Sequence, residues 1–96
     1  MNLETMLKEK RKEILRIAAK YGARDVRVFG SVARGESNEN SDIDFLVQFS
    51  PGVTLLKHAA LTRELETLLG GKVDVVSERA LKPGIKDRII KEAVRL

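Results

Sequence analysis

The chain has 96 residues, a net charge of +4, 43% hydrophobic and 33% charged residues, which suits one globular domain over residues 1–96 but not an elaborate substrate pocket. The lack of cysteine excludes a disulfide framework, a zinc–thiolate cluster and a thiol nucleophile. No apolar run is long enough for a membrane span and the N-terminal stretch does not read as a signal peptide, so a cytoplasmic location is expected. The positive balance is compatible with triphosphates and other anionic partners. With one Tyr and three Phe there is little for bases to stack on, so direct nucleic-acid binding is not expected.

Leu3, Met6, Leu7, Ile14, Ile17, Ala18 and Tyr21 recur at helical spacing and predict one amphipathic first helix, capped by Asn2 and stopped by Gly22. Its mixed-sign run Lys8 to Glu13 reads as a solvated face with i,i+4 pairs. Arg24 to Phe29 is the first predicted strand, with Val26 and Val28 inward. Gly30 and Ser31 then lead into a short helix through Val32, Ala33 and Arg34, followed by the polar loop Glu36 to Ser41. The second strand is expected from Asp42 to Phe49, with Ile43, Phe45, Val47 and Phe49 on its buried face.

After the turn Ser50-Pro51-Gly52, a second long helix is predicted over Val53 to Leu69, ended by Gly70-Gly71. Its apolar stripe is Leu55, Leu61, Leu65, Leu68 and Leu69; His58 at the stripe's edge reads as a packing residue without a metal partner. Lys72 to Ser77 is the third strand, interrupted by Asp74. Pro83-Gly84 reads as a turn, and Ile85, Ile89, Ile90, Ala93 and Val94 as a closing helix. The order predicts an α/β (α+β) fold: a small mixed sheet with helices on one side and carboxylates at its rim.

Two stretches carry chemistry. Asp42 and Asp44 alternate along a strand, so their side chains share a face with Cα atoms roughly 7 Å apart. Two uncompensated carboxylates repel, and a divalent cation between them removes that cost. Gly30 lets the backbone approach a ligand closely, and Ser31 adds a hydroxyl at a helix start suited to phosphate. Either half alone reads as an ordinary turn or cap. Both at this spacing occur by accident about once in a thousand chains of this length, so together they point to a site. Asp74 is either a solvated strand-edge carboxylate or a buried one that must be paired or bound to a cation.

With its Gly-Ser and Asp-x-Asp pattern, the chain resembles the nucleotidyltransferase superfamily related to DNA polymerase β. G-S-V-A-R-G-E and S-D-I-D-F-L-V resemble in particular the minimal nucleotidyltransferases, small prokaryotic partners of HEPN-domain proteins. The resemblance runs from about Arg24 to the C-terminus and implies a polymerase β-like fold. It also implies two Mg²⁺ ions held by Asp42, Asp44 and Asp74, which would be the catalytic residues. Gly30 and Ser31 would bind the triphosphate of ATP, with Arg34 either steadying it or forming a surface salt bridge. AMP would pass to a hydroxyl, tyrosine in the resembled family, of a HEPN toxin, making this chain an antitoxin. The exposed parts of the first and last helices are then candidate contact surfaces, and both a hetero-oligomer and a homodimer stay open. Two alternatives stand beside this: a non-catalytic antitoxin that blocks its partner, and nucleotidyl transfer to a small molecule.

Overall fold

The computed structural model describes residues 2–38 and 40–96; Glu39, in the expected polar loop, lies outside them. Two helical segments, α1 (Leu3–Glu9) and α2 (Arg11–Lys20), open the chain where one helix was expected. Asn2 caps the first, its side chain accepting from the Thr5 N–H at 2.8 Å. The break falls at Lys10, at φ −99° and ψ 11°. Between the buried Leu7 and Ile14 every residue is charged, so no apolar contact holds that turn on the core. Tyr21 packs at the margin of the core, with its hydroxyl donating to Glu64 at 2.5 Å.

Strand β1 (Ala23–Phe29) leads directly into the one-turn helix α3 (Gly30–Ala33). Strand β2 (Ile43–Phe49) returns antiparallel to β1, and Asp42 stands just ahead of its first residue. Helix α4 (Leu55–Leu69) crosses to β3 (Val73–Ser77), which runs parallel to β2. Thr54 caps α4 through the Lys57 N–H, and Gly70 ends it at φ +70°, where a side chain would be strained. A 3₁₀ turn (Glu78–Ala80) and helix α5 (Pro83–Glu92) follow.

The chain closes differently from the expectation of a helix through Val94. Helix α5 stops at Glu92, and Val94–Arg95 form a short strand, β4, antiparallel to the open edge of β1. Free backbone groups on that edge are better satisfied by pairing than by one more helical turn. The sheet order is thus β3-β2-β1-β4. Nor is Pro83-Gly84 a turn: Pro83 opens α5, where its missing N–H costs nothing.

The core lies on one face of this sheet. Val26 and Val28, Ile43, Phe45 and Val47, and Val73 and Val75 meet Leu7, Ile14 and Ile17 from α1 and α2 and Leu61, Leu65 and Leu69 from α4. Leu55, expected in the α4 stripe, is 87% exposed, as is its neighbour Leu56 at 82%. Both lie off the face that His58, Leu61, Leu65 and Leu69 turn to the sheet. His58 packs as expected, its ring 4.9 Å from Phe49 and its Nε2 2.7 Å from the Val75 carbonyl.

The opposite face is not bare. Leu46 is fully buried there, beside Arg27 and Phe29. Arg27 lies 3.4 Å from both Asp25 and Glu78, and Gln48 donates to Glu78 at 2.6 Å. Asp25 sits at a bulge in β1 with φ +53°, a conformation few side chains adopt, and the ion pairs around it hold it there.

Candidate active site

The pairing of β2 with its neighbours assembles the candidate residues at one end of the sheet. Asp44 pairs with Phe29 on one side and with Asp74 on the other. In register across a parallel pair, Asp44 and Asp74 project from the same face, and Asp42 joins them two residues upstream of Asp44. Asp42 and Asp74 are exposed, and Asp44 is partly buried. Its partial burial, followed by the charges of Asp74, Asp42 and Glu92, pushes the Asp44 carboxyl above its ordinary value; Arg34 offsets this in part.

Gly30 directly follows Phe29, so it abuts Asp44. Its φ is +75°, and a Cβ there would run into the Asp44 carboxylate. Only glycine lets the backbone turn so close to an acid. Ser31 follows in the first turn of α3, and Arg34 caps its end. The structure thus brings Asp42, Asp44, Asp74, Gly30, Ser31 and Arg34 to one end of the sheet.

A further residue joins them that the sequence did not single out. Glu92, from the last turn of α5, accepts the Gly30 N–H through Oε2 at 3.2 Å and pairs with Arg34 through Oε1. Arg34 also reaches Glu36 at 3.3 Å. Sixty-two positions separate Glu92 from Gly30, beyond the reach of any local pattern. One hint was available: an acid in the last turn of a helix opposes the helix dipole, so something else must hold it.

Three carboxylates form the all-oxygen donor set that hard divalent cations take. Among the described residues no three His, Cys, Asp or Glu side chains already converge into a metal cage. The raised Asp44 carboxyl nonetheless marks a cluster that a counter-charge would relieve, so the donor chemistry fits such a cation.

Comparison with known proteins assigns this architecture. Residues 7–96 match the nucleotidyltransferase domain family. The chain belongs to that family and is a nucleotidyltransferase. Among nucleotidyltransferase relatives, protein adenylyltransferase MntA of Thermococcus cleftensis is 41% identical over 92 residues, covering 96% of this chain and 90% of the relative. A solved structure described as a candidate minimal nucleotidyltransferase is 53% identical, covers 100% of this chain and 97% of that one, and superposes with a TM-score of 0.89. More distantly, a structure of a tri-AMPylated HEPN toxin of Shewanella oneidensis with its MNT antitoxin shares the fold. There the TM-score is 0.70 at 17% identity, over 92% of this chain and 69% of that one. The fold expected from the sequence, a small mixed sheet packed by helices, is the one these nucleotidyltransferases share.

Among the described residues, no helix is long and apolar enough to cross a membrane.

Proposed function

We propose that residues 1–96 form one nucleotidyltransferase domain that moves AMP from ATP to a hydroxyl, a tyrosine in the first instance, of a HEPN-domain toxin, and so acts as its antitoxin. The observation that carries this reading is the register of Asp44 beside Asp74, with Asp42 upstream and the Gly30 backbone against the Asp44 carboxylate. The relative named a protein adenylyltransferase and the neighbour that is an antitoxin bound to an AMPylated HEPN toxin support the choice of acceptor. An ATP-consuming reaction of this kind belongs in the cytoplasm.

In this mechanism Asp42, Asp44 and Asp74 would hold Mg²⁺, which when bound neutralises the triphosphate and lowers the pKa of the acceptor hydroxyl. Gly30 and Ser31 hold the β- and γ-phosphates, and Arg34 adds its charge beside them. The acceptor oxygen attacks the α-phosphorus in line as the bond to the bridging oxygen breaks, and pyrophosphate leaves. Asp74, the more exposed partner of Asp44, takes the hydroxyl proton. The partner would supply the acceptor hydroxyl, a reading supported by the neighbour in which the HEPN toxin bound to its antitoxin is itself AMPylated.

Mass spectrometry of a HEPN partner incubated with ATP, Mg²⁺ and substoichiometric amounts of this chain tests the proposal. Each partner molecule should gain one or more AMP units, and Asp74→Asn should cut turnover by about 10²–10⁴-fold while retaining nucleotide binding. Full neutralisation of the partner at one-to-one by Asp74→Asn, with no mass added by the wild type, would establish a steric blocker instead.

A further inference from the structure

Glu92 occupies the donors that the proposed reaction needs for phosphate. Its two carboxylate oxygens take the Gly30 N–H and the Arg34 guanidinium, one oxygen to each. A phosphate oxygen arriving at the same pair meets a fixed negative charge already seated there. The two anions cannot share these donors without repulsion.

We propose that Glu92 is an intramolecular stand-in for a nucleotide phosphate, a plug that the incoming triphosphate must displace. This rests on the assignment of Gly30 and Arg34 to phosphate binding. Three further features fit a plug and not a permanent strut. Helix α5, which carries Glu92, contributes no buried side chain. The Arg34 side chain is 47% exposed, so a ligand can reach it from solvent. Pairing with Arg34, then the Gly30 N–H, keeps the Glu92 carboxyl below the ordinary range, so the group is an anion at neutral pH.

The plug also serves the empty protein. It satisfies the Gly30 N–H and holds Arg34 beside Asp44, whose carboxyl the Arg34 charge steadies. Its cost appears on binding, since apparent affinity falls by the fraction of molecules in which the donors are free. Glu92 thus sets nucleotide affinity from a position that needs no contact with base or acceptor.

Isothermal titration of ATP and of inorganic tripolyphosphate, each with Mg²⁺, into wild type, Glu92→Gln and Glu92→Ala tests this. Both variants should melt cooperatively and bind both ligands about five- to thirtyfold more tightly than wild type. Adenosine, which lacks phosphates, should show no gain. Unchanged or weaker binding of tripolyphosphate by both folded variants overturns the plug while leaving nucleotide binding in place. If wild type and both variants all fail to bind either ligand, the phosphate site on which the plug depends falls with it.

Discussion

Strand β2 has two faces that differ by a single residue step and by nearly every physical property. Ile43, Phe45 and Val47 point into the core and are at most 2% exposed. Asp44, Leu46 and Gln48 alternate with them on the opposite face, where Asp44 meets Asp74 across the strand pair and Gln48 reaches Glu78. The period of two in an extended chain thus puts the main core on one side of a seven-residue segment and the candidate acid on the other, where Leu46 also packs. A substitution on the first face should cost folding. One on the second, at the acid cluster, should cost function and relieve repulsion.

The largest effect is expected at Phe45, which is fully buried. Phe45→Ala should destabilise the protein by about 3–5 kcal/mol, read as a lower denaturant midpoint with an unchanged slope. Leu46 sharpens the comparison, because it lies on the acidic face yet is as buried as Phe45. Leu46→Ala should cost about 2–5 kcal/mol in the same assay; a negligible loss would mean that the second face contributes no packing.

Gly30→Val comes next. A β-branched residue at φ +75° is strained by about 1–3 kcal/mol, and its Cβ meets the Asp44 carboxylate. Calorimetry should show ATP binding lost along with that stability, by more than Ser31→Ala loses. Normal ATP binding by Gly30→Val would remove the backbone from the phosphate site.

The smallest effect has the opposite sign. Asp44→Asn should leave the ligand-free protein slightly more stable at neutral pH, since burial and neighbouring carboxylates disfavour the charged form. The native carboxyl holds its proton more tightly than the unfolded one does. Wild-type stability therefore falls as pH rises through the native pKa, and recovers below the unfolded value. The advantage of Asn should accordingly be full above the raised pKa and fade in acid, as melting curves across that range would show.

Much of this division was readable before folding. Alternation in D-I-D-F placed both acids on one face and Ile43 and Phe45 on the other, and Asp74 stood out as a polar break in V-D-V-V. Glycine before serine marked the close turn at the end of β1. What escaped depends on distant pairing. Val94–Arg95 continue a helical pattern locally and become a strand only because β1 offers an unpaired edge. Glu92 looks like any surface acid until α5 returns it to Gly30. Leu55 reads as part of the α4 stripe, but it falls to one side of the face that His58, Leu61, Leu65 and Leu69 turn to the sheet. The break at Lys10 left a weak trace, a seven-residue interval from Leu7 to Ile14 without an apolar anchor.

The measurement that bears most directly on the acid cluster as a metal-and-nucleotide site compares melting temperatures of wild type and the double variant Asp42→Asn, Asp44→Asn, each with and without Mg²⁺ and ATP. Wild type should melt higher when both are present, because only the folded state binds them. The double variant should melt at least as high as wild type without ligand and show no shift when ligand is added. An equal shift in both proteins would contradict the account and place the metal and nucleotide elsewhere on the chain.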